Sequence, residues 1–206
     1  MSYLELLFES NIFDNNKAVN GGALFFSIDK MNYLWNTNHQ KTIIRNNIFN
    51  ENSAKEFGGA IYTEFTKFNK THYNTFENNT LSYNTAGVMG GGLYSSQITN
   101  ITSLKPEEWN FIHNTVNLHL NEYTTKPSYL TLDTPFNKKV VLITGDVLPI
   151  NFTLYDSYNN VVQDITKYYS SMTLRITLEK INNLNDKKEK NYNLLENTRQ
   201  LLNGNI

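Results

Sequence analysis

The chain has 206 residues, a formal net charge of −1 and no cysteine. That length allows one or two domains. The charge balance offers no basic stripe suited to nucleic acid, and the absence of thiols excludes disulfides and thiolate metal sites without fixing a compartment. A hydrophobic share of 39%, with 13% aromatic residues, is enough for a core.

Taken in chain order, the first feature is a phrase that recurs three times. It runs aromatic or Leu, two residues, Asn, one residue, Ala, a short gap, then Gly-Gly and a short apolar strand. Copy one is Phe13 to Ala18 followed by Gly21, Gly22 and Leu24. Copy two is Phe49 to Ala54 followed by Gly58, Gly59 and Ile61. Copy three is Leu81 to Ala86 followed by Gly91, Gly92 and Leu93. Half-copies stand at Phe76–Asn79 and Phe111–Asn114. A period of about 32 to 37 residues signals a solenoid, propeller or array. Asn makes up about one residue in six, so a single Phe-x-x-Asn carries little weight; its combination with Ala and Gly-Gly in register carries much more. Helical repeats are disfavoured, because apolar spacings of three and four are missing and Gly-Gly would break a helix.

Each residue type has a job in a coil of strands. Gly-Gly turns the chain without a Cβ penalty. The residues after it are β-branched or aromatic and short, which is strand composition. Strand alternation places Leu24, Ile61 and Leu93 in the interior. With one coil per repeat, Phe13, Phe49 and Leu81 stack about 4.8 Å apart. Asn16, Asn52 and Asn84 stack likewise, and Asn side chains can bond along such a column.

These residues resemble the polymorphic outer membrane protein repeat family, with its Gly-Gly-Ala-Ile and Phe-x-x-Asn tetrapeptides. Copies one and two match both elements; copy three departs with Leu81 and with Gly91-Gly92-Leu93-Tyr94. The resemblance covers roughly residues 1–120. It implies a right-handed parallel β-helix displayed at a cell surface, adhesive and not enzymatic. Composition rich in Asn, Lys, Ile and Tyr fits an AT-rich genome, so a bacterial source is one option among several.

The repeat fades after Asn114, and residues 123–127 read as a linker. Strand patterns return over 128–133, 139–144, 149–155 and 172–178, with a turn cluster at 156–160. Short strands with turns every 8 to 12 residues suggest an antiparallel sandwich. The run Phe152 to Val161 resembles the corner of bacterial immunoglobulin-like domains. Too few strands precede Lys180 to complete such a sandwich. Asn182 to Lys190 reads as a solvated loop, and Leu194 to Leu202 as a short helix or a strand edge. The expectation is therefore all-β: a short parallel β-helix over 1–122, a linker over 123–127, and a partial antiparallel sandwich over 128–206. The opening residues lack the basic start and apolar length of a signal peptide. No polar cap over the repeat is visible either, and solenoids need one. A piece of a longer protein is expected, with any membrane anchor outside it.

No arrangement of titratable residues announces a reaction. His39, His72, His113 and His119 lack metal-ligand spacing. Asp14, Asp29, Glu51, Glu56, Glu64 and Glu77 stand singly along the repeats, and a row of carboxylates at a turn is ordinarily a solvated edge. The sequence contains glycosylation patterns at Asn69, Asn78, Asn100 and Asn151, about as many as its composition yields by chance. The expected function is a non-enzymatic surface or secreted scaffold of adhesin type, without cofactor or metal. Its expected partners are glycans or cell-surface proteins, with contacts through faces such as Tyr62 and Tyr94. The alternative is a carbohydrate-active β-helix enzyme, a lyase or hydrolase, which would need clustered carboxylates or a basic residue beside a metal.

Overall fold

The computed structural model describes residues 3–26, 39–64, 72–96, 108–134, 143, 145–177 and 198–200. The first four of these stretches coil into four rungs. Rung one contains β1 (Tyr3–Glu9), β2 (Ile12–Asp14), β3 (Lys17–Ala18) and β4 (Leu24–Phe26). Rung two contains β5 (His39–Arg45), β6 (Ile48–Asn50), β7 (Ser53–Ala54) and β8 (Ile61–Thr63). Rung three contains β9 (His72–Glu77), β10 (Thr80–Ser82), β11 (Thr85–Ala86) and β12 (Leu93–Ser95). Rung four contains β13 (Asn110–Ile112), β14 (Thr115–Val116), β15 (His119–Leu120) and β16 (Tyr123–Thr125).

Equivalent strands pair across rungs into four sheets: β1-β5-β9, β2-β6-β10-β13, β3-β7-β11-β14 and β4-β8-β12-β16. Every pairing between rungs is parallel, and only β15 folds back antiparallel on β14. The result is a β-helix-like solenoid.

The Phe-x-x-Asn phrase makes the corners. Its third residue has positive φ wherever it occurs: Ser10, Asn46 and Asn78 at one corner, Asn15, Glu51, Tyr83 and His113 at the next. A single left-handed residue turns the chain from one sheet into the next, and among residues with a Cβ Asn tolerates it best. The Asn that follows holds the corner to the next rung. The N–H and amide Nδ2 of Asn52 both donate to Asn84 Oδ1, at 2.8 and 2.9 Å. Its Nδ2 also donates back to Phe13 O at 2.9 Å. Asn16, Asn52, Asn84 and Asn114 form this column in sequence. A second column runs through Asn11, Asn47 and Asn79. The two columns stay five residues apart in the first three rungs. The offset between rungs shortens along the coil, from 36 to 32 to 30 residues.

The core lies inside the coil. Ile44, Phe49, Ile61, Leu81, Leu93, Phe76 and Trp109 are buried there, with Phe13 and Leu24 packed against them. Leu24, Ile61 and Leu93 are register partners on one face. Phe13 stacks on Phe49 with ring centroids 4.7 Å apart and planes 3° apart, and Leu81 continues the column. Gly21 and Gly58 have positive φ, but in the third copy that conformation falls on Gly90. The third phrase is therefore Gly90-Gly91-Gly92-Leu93, with Gly92 in the place of Ala23 and Ala60. Reading Gly91-Gly92 as the equivalent pair puts the glycines one residue late. Rungs lie so close at Gly59 that a Cβ there would meet Gly91 O, and Thr85 O at 2.7 Å.

The second half differs from the expected sandwich. Residues 123–125, expected as a linker, are β16, the last strand of the fourth sheet. The backbone hydrogen bonds of β12 explain this, because they require a fourth-rung partner. After it, β17 (Pro127–Leu132) pairs antiparallel with β18 (Phe152–Asp156), and β19 (Thr173–Arg175) with β20 (Thr198–Gln200). These are separate two-stranded ladders, and among the described residues no second sheet faces them, so the described strands do not by themselves make up the expected immunoglobulin-like sandwich. Two apolar side chains of this segment pack against the solenoid. Leu154 and Val162 join Phe57, Met89 and Tyr94 in a second core cluster. Most of 139–144 and all of 182–190 lie outside the described residues. Over 194–202 only the strand β20 is described.

Asn84 accepts two hydrogen bonds and donates to both Asn114 Oδ1 and Phe49 O, all buried. Asn84→Leu strands these partners and is expected to lower stability by about 3 kcal/mol or more in chemical denaturation. Glu51 pays for left-handed backbone without the compensation Asn enjoys, so Glu51→Asn is expected to raise stability by about 0.5–1 kcal/mol. An unchanged midpoint in either variant would contradict the corner geometry.

Candidate functional site

The outer face of the fourth sheet carries a row of rings. Phe25, Tyr62 and Tyr94 are register partners on β4, β8 and β12. They point away from the core because Leu24, Ile61 and Leu93, their neighbours in sequence, point into it. Phe25 stacks on Tyr62 at 4.9 Å, and Tyr62 on Tyr94 at 5.7 Å. Exposure falls along the row, from 49% at Phe25 to 4% at Tyr94. The cause is the C-terminal segment, which covers the downstream end of the sheet.

Two buried carboxylates hold that segment in place. Asp156 Oδ2 accepts from Thr124 Oγ1 at 2.9 Å and from Thr125 N at 3.0 Å, both on β16. Its Oδ1 accepts from the backbone N–H groups of Tyr158 and Asn160, closing the turn. The turn residue Asn159 is left-handed, with φ of 63°. Asp164 accepts from Tyr168 N at 2.7 Å and Tyr169 N at 2.8 Å. This fixes two consecutive tyrosines against the ring row. Tyr168 meets Phe57 edge-on at 5.1 Å, and Tyr94 Oη lies 3.4 Å from Tyr169 Oη.

Between the ring row and this segment lies an open cleft of about 420 Å³, lined by Phe57, Tyr62, Tyr94, Tyr168 and Met172, with Lys126 at its side. Tyr62 Oη donates to Glu64 at 3.2 Å. The cleft thus combines flat apolar ring faces with hydroxyls, an ammonium and a carboxylate. Such a combination suits ligands with one apolar face and a polar rim.

The individually expected residues are placed as follows. The repeat positions Asn16, Asn52 and Asn84 form the ladder, and Gly21, Gly58 and Gly59 the close turns. Asp14 lies exposed on β2, where bonds from Asn50 and Asn15 hold its carboxyl below the usual range. Glu51 follows β6, Glu64 follows β8 and Glu77 ends β9, so they stand at ends of different strands. Arg45 pairs with Glu9 at 2.8 Å one rung away. His113 stacks on Tyr83, and His119 is exposed on β15. Asn78 and Asn151 are exposed; Asn69, Asn100 and Asp29 lie outside the described residues. Among the described residues no group of three or more His, Asp or Glu could hold a metal ion. None of their helices is long and apolar enough to cross a membrane.

Sequence reading missed the Asp156 and Asp164 anchors, Lys126 and the paired Tyr168-Tyr169. These lie far along the chain from the rings they meet, and no periodicity links them. It also missed the column of Asn11, Asn47 and Asn79, because Ile44 replaces the aromatic residue in the middle copy.

Comparison with known proteins agrees with the repeat and goes no further. The family described as Chlamydia polymorphic membrane protein repeat matches residues 12–27 and 48–64, the stretches that contain β2–β4 and β6–β8. Neither curated proteins nor solved structures give a match.

Burial pushes the Tyr94 phenol far above its ordinary range, with the neighbouring Tyr169 adding to the effect; burial also raises Tyr169 and Tyr62. These groups stay neutral in the fold, whereas in the unfolded chain they ionise near pH 10. Their contribution to stability is therefore complete below pH 10 and is lost as pH rises beyond it. Alkaline titration followed by ultraviolet absorbance is expected to show tyrosines that ionise only as the fold is lost. Tyr94→Phe should reduce the steepness of that alkaline unfolding, and an unchanged profile would contradict the burial.

Proposed function

We propose that this protein is a non-enzymatic cell-surface scaffold that binds glycans or cell-surface proteins through the aromatic cleft beside its fourth sheet. The row Phe25-Tyr62-Tyr94 ending in that cleft carries the reading. Stacked rings give large contact area at little entropic cost, and their hydroxyls supply direction. The two matched repeat stretches support a cell-surface setting, because that repeat's family consists of surface proteins of the outer membrane. The residues that recur from rung to rung are packing and turn types, which also favours a scaffold over an enzyme. Adhesion is the use that suits a regular coil with a lateral binding face.

A glycan-array screen run beside hydrolase and lyase assays tests this. Binding without turnover is expected. Tyr168→Ala, which removes an exposed cleft wall, should weaken that binding by about tenfold, or ~1.4 kcal/mol. Turnover that disappears with Glu51→Gln, Glu64→Gln or Glu77→Gln would establish the carbohydrate-active enzyme instead.

A further inference from the structure

The aromatic cleft has a polarity, and that polarity selects among ligands. An aromatic ring is negative on its face and positive at its edge. Tyr62, in an internal rung, has Phe25 against one face with planes 1° apart and Tyr94 against the other with planes 22° apart. Tyr94 in turn lies between Tyr62 and Phe57. Stacking uses up the negative faces of both rings, so what they turn toward the cleft is their positive edges. Tyr168 differs. Its ring meets Phe57 at 88° and Tyr169 at 86°, and it is 54% exposed. It is the ring that has a flat apolar surface to offer.

A polar column runs beside the rings. Glu64, Ser96 and Lys126 follow β8, β12 and β16 at matching positions, because Ser96 N donates to Thr63 O and Lys126 N to Ser95 O. Strand alternation puts their side chains on the same outer face as Tyr62 and Tyr94. The column passes from a carboxylate to an ammonium over two rungs, a distance of about 10 Å.

The ammonium at the end of this column is uncompensated. Glu64 accepts from Tyr62 Oη at 3.2 Å. The two buried carboxylates of the covering segment are also spent. Asp156 accepts from Thr124 Oγ1 and from the backbone of Thr125, Tyr158 and Asn160. Asp164 accepts from the backbone of Tyr168 and Tyr169. Among the described residues Lys126 has no ion pair, although it and Ser96 both line the cleft. Positive ring edges and an unpaired ammonium converge on one place, and both attract an anionic oxygen.

We propose that the cleft recognises an acidic saccharide. A sugar carboxylate sits at Lys126, sugar hydroxyls face Ser96 and Glu64, and the C–H side of the ring packs on Tyr168. This names the ligand class for the site of the proposed function and rests on that reading.

The test is calorimetric titration of the full chain with two matched pairs of probes: tetragalacturonate against its neutral methyl ester, and sialyllactose against lactose. At least one acidic probe is expected to bind about tenfold more tightly than its neutral partner, and this preference should shrink as salt is added. Lys126→Gln should bring the acidic probe down to the affinity of the neutral one and leave the neutral one unchanged. That second result also shows that the cleft is intact in the variant. Tyr168→Ala should weaken acidic and neutral probes alike. Equal affinities within both pairs, or a preference that survives Lys126→Gln, overturns the acidic assignment while leaving a glycan-binding cleft. Hexaglutamate binding as tightly as the acidic sugars would assign the cleft to an acidic polypeptide and overturn the saccharide. Binding of none of these probes would overturn this inference together with the glycan reading beneath it.

Discussion

Everything in the solenoid depends on one group, the carboxamide forked between two rungs. One end of it accepts from the rung above, while its two protons go forward to the next Asn and backward to a buried carbonyl. Buried polar groups are tolerable only when satisfied, and here each asparagine satisfies its neighbours as well as itself. The isosteric carboxylate could not do this, because it lacks the protons. The corner would then lose its contact with the preceding carbonyl and one of its two hydrogen bonds to the following rung. Hydrophobic residues fill the coil, but they do not fix which rung follows which. The amide column and the left-handed residue ahead of it do that.

Most parts of the structure that repeat were legible in the sequence, the column of Asn11, Asn47 and Asn79 excepted, and the contacts that occur once were not. Leu24, Ile61 and Leu93 could be assigned to one column because three copies impose the same alternation. The stacking of Phe13 on Phe49 followed from the same alignment. The glycines were harder, since Gly90-Gly91-Gly92 offers two ways to choose a pair. Only backbone conformation separates them. The C-terminal segment defeated the reading for a different reason. Its strands alternate as a sandwich would, but Leu154 and Val162 are buried against the solenoid. Asp156 reads as a turn residue in sequence, and the turn is indeed there. That its other oxygen reaches Thr124 and Thr125 is a tertiary fact with no local signature.

The candidate site arises from this docking. Strand alternation alone yields a ladder of exposed rings on the fourth sheet, regular and undistinguished. The segment held by Asp156 and Asp164 covers one end of the ladder and leaves the other open, and the cleft is the boundary between the two. A site built this way separates two tasks. The solenoid sets the spacing of the rings, and the added segment sets which of them a ligand can reach.

The fixed distance between the two asparagine columns has a consequence for how such a protein changes over generations. Five residues separate the columns in each of the first three rungs, and the stretch from the second column to the glycine turn varies by a single residue. The offset between successive rungs nevertheless varies, and nearly all of the difference falls between the end of the fourth sheet and the return to the first or second. Insertions and deletions thus fall mainly at one corner of the coil. Lineages could lengthen, shorten or exchange the segments at that corner while the hydrogen-bonded frame beneath them stays in register, so diversity would accumulate along a single stripe of the surface.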